Sequence, residues 1–169
     1  RDTDRSRGLG DVYKRQAYKH ITSSPKYIFM AMQYKSEEIV RDYNGALQRA
    51  VATLNNMGAN VELIAHPIMT GEGRSINITS DIYDKIENCS IFLADTTEAN
   101  PNVMYELGMA YNKKKPIIMV REKNKKIKIP SDIISEHYYS FDGMSELENL
   151  FVKHIRKIME TDYGIIYPG

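Results

Sequence analysis

One cysteine, Cys89, is present in a chain of 169 residues. A single thiol cannot close an internal disulfide, and it cannot alone furnish a thiolate zinc site. Long apolar runs are also missing: none approaches the roughly 20 residues that a membrane helix requires. No secretory signal pattern is evident, so the expected location is a reducing cytoplasm with no membrane partner. Excess charge of one sign is absent as well, with 23 Lys plus Arg against 22 Asp plus Glu and a net charge of +1. Such a balance creates no general field to draw nucleic acid or an anionic bilayer, so a charged ligand needs a local site. Cys89 precedes the apolar run SIFLA, where a buried structural thiol is the expected role rather than a nucleophile.

With 42% hydrophobic and 27% charged residues, the sequence is globular in character, and its length suits one domain with a core of its own. The opening RDTDRSRGLGDVYKRQ is charged and aperiodic, and it joins abruptly to a regular alternation of elements. Its ending, DVYKRQ, resembles translated adapter sequence, so residues 1–20 are expected to be an unstructured, non-native leader. The domain is expected over residues 25–162, with a short tail at 163–169.

KYIFMAMQ, Lys26 to Gln33, is an apolar β-leaning run suited to a buried parallel strand. Ser36 with Glu37 and Glu38 opens a helix whose apolar positions are Ile39, Tyr43, Leu47, Ala50 and Leu54, ended by Gly58. A short strand is expected from Asn60 to Ala65, followed by the polar loop HPIMTGEGRS. Ile78, Ile82 and Ile86 mark the core side of a second helix ending near Asn88. SIFLAD, Ser90 to Asp95, is continuously apolar and reads as the central strand.

Pro101 is well placed as a first helical residue with Asn100 as cap, and Val103, Leu107 and Ala110 form the inward stripe. Lys113 to Lys115 are expected in that helix's last turn, complementing its dipole. Pro116 to Val120 is another buried strand, then comes a lysine-rich loop. Tyr138 to Phe141 is a short strand, and Ser145 to Met159 a terminal helix offering Leu147, Leu150, Phe151 and Ile158 to the core. This rhythm predicts a doubly wound, mostly parallel sheet of four to five strands with helices on both faces, a flavodoxin-like or Rossmann-like α/β fold.

Open sheets of this kind bind ligands beyond the carboxyl ends of their strands, where strand order reverses. That rule nominates Gln33, Tyr34 and Lys35, the loop from His66 to Arg74, and Asp95 to Glu106. At roughly 100° per residue, Glu106 falls about 60° from Val103, on the rim of the inward stripe. Asp81 flanks the isoleucine stripe of the preceding helix. Two carboxylates near one cleft suit cleavage of an N-glycosidic bond: one stabilises or attacks the anomeric carbon while an acid assists the departing base. Tyr34 and the strand end at Met32 offer an apolar wall for a base, and Asn100 and Asn102 offer hydrogen bonds to hydroxyls or phosphate. No metal or organic cofactor is expected.

The first strand IFMAMQY, the pattern D-x-x-x-x-I-x-x-C-x-I from Asp81 to Ile91, and ADTTEANPNVMYELGMAYNKKKPIIMV together resemble the nucleoside 2-deoxyribosyltransferase-like superfamily. The resemblance spans about Lys26 to Val120. It is shared with deoxynucleoside monophosphate N-glycosidases and, in architecture, with TIR-like domains that act on NAD. It implies that Glu106, in YELG, is the nucleophile toward the anomeric carbon and that Asp81 orients the sugar or aids the leaving base. It also implies a nucleoside, nucleotide or NAD as substrate and a homodimer or larger homo-oligomer. The transferases usually carry an acid, and the nucleotide hydrolases a serine, about six positions before that glutamate. Asn100 stands there instead, so neither specificity carries over.

Plainer roles stand beside these. A glutamate in a second helical turn is usually solvated, Asp95 can cap the following turn, and His66 is more often a loop hydrogen-bonder than an acid. His137 and His154 lack partners at metal-ligand spacing, and Arg74 alone is a weak phosphate signal. Three functions remain open: an N-glycosidase or deoxyribosyltransferase, a TIR-like NAD hydrolase or cyclase in defence, and a non-catalytic nucleotide-sensing module.

Overall fold

The computed structural model describes residues 24–68, 76–123 and 137–169. The elements run β1 (Lys26–Ala31), α1 (Glu37–Asn55), β2 (Leu63–Ala65), α2 (Ile76–Asn88), β3 (Ile91–Asp95), α3 (Pro101–Asn112), β4 (Ile117–Glu122), β5 (Tyr138–Phe141) and α4 (Gly143–Tyr163). The five strands lie in the order β2-β1-β3-β4-β5, and every neighbouring pair is parallel. The doubly wound α/β fold expected from the alternation is thus present. This is the flavodoxin-like order, whose reversal point lies between β1 and β3.

Because side chains alternate along a strand, the central strands feed two cores. Ile28, Met30, Ile91 and Leu93 pack with α1 and α4, through residues such as Leu47, Leu54, Phe151 and Ile155. Phe29, Ala31, Phe92 and Ala94 pack with α2 and α3, through Ile82, Ile86, Val103, Leu107 and Ala110. The continuous apolar character of SIFLAD follows from this burial on both sides.

Helix α1 begins as the sequence implies, with the Ser36 hydroxyl accepting from the Ile39 amide at 3.2 Å and Glu37 and Glu38 in the first turn. It ends at Asn55, and Gly58 supplies the left-handed residue, at φ +79°, that turns the chain toward β2. Strand β2 is shorter than the expected Asn60 to Ala65. Its pairing starts where β1 starts, with Lys26 opposite Leu63. On the outer edge, the Asn55 side chain takes both backbone groups of Leu63, donating to its carbonyl at 2.9 Å and accepting from its amide at 2.8 Å. An amide side chain thereby closes part of a sheet edge that would otherwise be open to pairing.

Three further boundaries differ. β3 begins at Ile91, and β4 runs from Ile117 to Glu122 rather than ending at Val120. Helix α4 spans Gly143–Tyr163, with Ile155 and Met159 fully buried beside Leu147 and Phe151, while Leu150 and Ile158 are partly buried. Gly164 ends it in the left-handed conformation at φ +64°. The expected role of the lysines after α3 is corrected as well. The helix stops at Asn112, and Lys115 reaches back to the end of α2, donating to the Glu87 and Cys89 carbonyls at 2.6 and 3.0 Å. A cation satisfies orphaned carbonyls there, on the neighbouring helix rather than its own. Cys89 is buried as expected, its thiol pushed up to about 11 by desolvation.

Candidate active site at the β1 and β3 crest

The turn between β3 and α3 is built from Asp95 outward. Asp95 follows Leu93 on the side of the sheet covered by α1, and it is only 7% exposed. Its Oδ1 accepts from the Thr97 amide at 3.0 Å and from the Thr97 hydroxyl at 2.5 Å. The Tyr43 phenol, from the buried face of α1, lies near the same carboxylate. Thr97 Oγ1 also accepts from the Glu122 amide at 3.0 Å, while Thr96 donates to the Val120 carbonyl from its amide at 2.9 Å and its hydroxyl at 3.2 Å. The turn is therefore tied to β4, with Tyr43 of α1 facing its carboxylate.

Burial raises the Asp95 carboxyl above its ordinary range, against the opposing effect of the Thr97 and Tyr43 hydrogen bonds and the positive charge of Lys35. Burial likewise raises the Tyr43 phenol, helped by the nearby carboxylates of Asp95 and Glu122. Across the crest, Lys35 from the loop after β1 pairs with Glu98 from the loop after β3 at 2.7 Å. Met32 is buried in the α1-side core, and Tyr34 packs partly against it. Gln33 is half-buried.

Ala99 takes φ +45°, a left-handed conformation uncommon for a residue with a Cβ, and its amide donates to the Thr96 carbonyl at 3.3 Å. Helix α3 begins immediately after. The Asn100 side chain accepts from the Asn102 and Val103 amides at 2.9 and 3.4 Å, and Pro101 follows it. The Asn100 carbonyl oxygen is thus spent on its own helix, and the Asn102 side chain is exposed.

Glu106 is 6% exposed, in the buried set of α3 with Val103, Leu107 and Ala110. A rim position was expected; the carboxylate lies deeper. Asp81 is placed differently. It sits on α2 with its side chain 52% exposed and pairs with Lys85 at 3.1 Å one turn on. The two helices belong to one layer and are joined by a hydrogen bond between the hydroxyls of Tyr83 and Tyr105, each close in sequence to one of the carboxylates. One layer therefore carries a buried carboxylate and an exposed, ion-paired one.

His66 stacks on Tyr27 with ring centroids 5.3 Å apart. Burial and then the charge of Lys85 lower its proton affinity, opposed by Asp81. These contacts place the Asp81 end of α2 beside the end of β2. The loop nominated after His66, including Arg74, and the side chain of Ile78 lie outside the described residues. Among the described residues, no cluster of His, Cys, Asp and Glu could hold a metal ion, and no helix is long and apolar enough to cross a membrane.

Tyr43, Thr97 and Glu98 were not singled out by sequence. An aspartate two residues before a threonine is a recognisable turn signal. Tyr43 offered no such cue, since a tyrosine in an apolar stripe reads as core.

No family model and no curated relative matches the chain. Solved structures do. The CMP N-glycosidase BcmB of Clostridium botulinum aligns with 76% of this chain and 99% of its own, at a TM-score of 0.51 and 17% identity. A conserved protein of Enterococcus faecalis V583 aligns over 78% and 99%, at a TM-score of 0.50 and 14% identity. A 2-deoxyribosyltransferase of Bacillus psychrosaccharolyticus aligns over 73% and 90%, at a TM-score of 0.45 and 17% identity. The chain is a flavodoxin-like α/β domain, and the first two of these structures share its fold. At such low identities the likeness extends to the fold, and the chemistry has to be argued from this chain's own residues.

Proposed function

We propose that the domain cleaves the N-glycosidic bond of a nucleoside or nucleotide, or transfers its sugar, with Glu106 acting on the anomeric carbon. The observation that carries this reading is the burial of Glu106 in the second turn of the helix leaving the β3 crest. A glutamate there is ordinarily solvated, and a buried carboxylate beside the ligand-binding crest of an open sheet is a candidate for chemistry. The position agrees with the YELG resemblance and with the ligand site expected at the reversal of strand order. The CMP N-glycosidase among the structural neighbours points to the same chemical class.

In this reading the bond between the anomeric carbon and the base nitrogen breaks, and its electron pair leaves with the base, which takes up a proton. Glu106 attacks or shields the positive carbon that develops. Water then completes hydrolysis to free base and sugar, or a second base completes transfer. Asp81, on the neighbouring helix α2 and paired with Lys85, is proposed as the partner that orients the sugar or assists the base. Met32, Gln33 and Tyr34 are proposed to flank the base, and Asp95, Asn100 and Asn102 to shape the sugar side.

Mass spectrometry of products after incubation with ribo- and deoxynucleosides, their 5′-monophosphates and NAD tests the class. Free base from nucleosides or monophosphates supports it. Nicotinamide release from NAD alone would instead select the NAD-consuming alternative, and ligand-induced stabilisation without any product would select a sensing module.

A further inference from the structure

We propose that Glu98 governs substrate choice by holding Lys35 in an ion pair that a substrate's 5′-phosphate can take over and an uncharged nucleoside cannot. This deepens the reading of Glu106 given above and rests on it for the reaction. Lys35 follows β1 and Glu98 follows β3, so their contact, at 2.7 Å, spans the point where strand order reverses. Ligands of open parallel sheets sit at that point. The lysine side chain is 23% exposed and the glutamate 33%, so the pair is partly shielded yet open to a solute.

A phosphate at this crest has few other receptors. The start of α3 is closed to it: Pro101 has no N–H, Asn100 Oδ1 accepts from the amides of Asn102 and Val103, and the Asn100 carbonyl accepts from that of Met104. Helix α1 opens with Glu37 and Glu38, whose charges repel an anion, and its cap Ser36 serves the Ile39 amide. Among the described residues of the two crest segments, 32–36 and 95–102, Lys35 is the one cation, set against the carboxylates of Asp95 and Glu98. An anionic substrate therefore needs Lys35, which Glu98 engages.

The exchange asks only for side-chain movement. Thr97, immediately before Glu98, is held by its amide and hydroxyl bonds to Asp95 and by the Glu122 amide at 3.0 Å. Ala99, immediately after, donates its amide to the Thr96 carbonyl. The backbone is thus fixed on both sides of Glu98, and only the carboxylate has to swing away. An ion pair between partly exposed side chains contributes little to stability, so it is readily given up. A phosphate offers the ammonium more charge and three oxygens. A neutral nucleoside offers neither, and it meets the pair as a closed rim.

The test is the ratio of kcat/KM for a nucleoside 5′-monophosphate to that for the matching nucleoside. This ratio should fall about tenfold to a hundredfold in Lys35→Met, the range for losing a bond to a charged group, while Lys35→Arg, which keeps the charge, should retain most of it. Glu98→Gln removes the competing charge and should raise the ratio about twofold to fivefold, a rise that should vanish when Lys35→Met is added. Ribose 5-phosphate has no base to release and gives a readout apart from turnover. In calorimetric titration it should bind wild type more tightly than ribose does, more weakly to Lys35→Met and more tightly to Glu98→Gln.

A ratio that is the same in wild type, Lys35→Met and Glu98→Gln, with equal affinity for ribose 5-phosphate, overturns the inference while the proposed reaction stands. If wild type itself releases no base, the proposed reaction fails and the titration alone decides: opposite shifts in the two variants support the exchange, and equal affinities overturn it.

Discussion

Asp95 and Glu106 stand on opposite faces of the sheet, although one ends the central strand and the other belongs to the helix that follows it. Asp95 turns toward α1 and is fixed by the amide and hydroxyl of Thr97, while Glu106 is buried in α3. The intervening turn has to carry the chain across the crest between β1 and β3, and its bonding explains why a strained alanine is tolerated there.

Burial raises the Asp95 carboxyl in the folded state, so its contribution to stability is fully present below the unfolded value and is lost as pH rises through the folded one. Asparagine keeps an acceptor for Thr97 and a polar partner for Tyr43 but does not titrate. Asp95→Asn is therefore expected to gain melting temperature relative to wild type as pH rises from about 4 toward 8. Calorimetry across that range checks it, and a constant difference would contradict the assignment.

His154 has the opposite sign. It stacks on Tyr139 at 3.6 Å, its buried Nδ1 has no hydrogen-bond partner among the described residues, and burial followed by the charges of Lys153 and Lys157 lowers its proton affinity. Its neutral form is the one that fits, so stability is retained above the unfolded value, 6.5, and lost as pH falls below it toward the folded one. His154→Phe should keep the stack and flatten that part of the decline, which thermal melts at about pH 7 and about pH 5 would show.

Ala99→Gly separates stability from function. Glycine tolerates the left-handed conformation, which costs alanine about 1–2 kcal/mol, but it loses about 0.5–1 kcal/mol through a freer unfolded chain. Denaturant titration should show a change between zero and about 1.5 kcal/mol in the stabilising direction. Base release should fall, because the turn that aims α3 becomes more adaptable.

Lys115→Met keeps the aliphatic stem and removes the ammonium that joins α3's exit to the Glu87 and Cys89 carbonyls. A loss of about 1–3 kcal/mol is expected, the range for bonds made by a charged donor. A smaller change in denaturant unfolding would show that water replaces the lysine readily.

Much of this arrangement was legible in the sequence. Unbroken apolar character marked SIFLAD as a strand buried on both faces, and Asn100 with Pro101 marked the start of α3, because both signals are local. The observed strand order reverses between β1 and β3, next to loops that the alternation of elements already nominates. What stayed hidden depended on contacts across the fold. Tyr43 was visible only as one member of an apolar stripe, since nothing in a helical period reveals where a hydroxyl will end. Lys115 read as a counter-charge to its own helix, yet it serves α2, which chain order separates and packing brings near. The pairing of Asp81 with Lys85 follows the ordinary spacing of one helical turn, but its proximity to His66 required the sheet to be assembled.

The most direct measurement compares release of free base by wild type and Glu106→Gln, on whichever substrate the product panel identifies. Glutamine preserves shape and hydrogen bonding but cannot attack or neutralise a developing cation. The account predicts a folded variant whose kcat falls by about a thousandfold or more. A folded Glu106→Gln variant that releases base at the wild-type rate would contradict it.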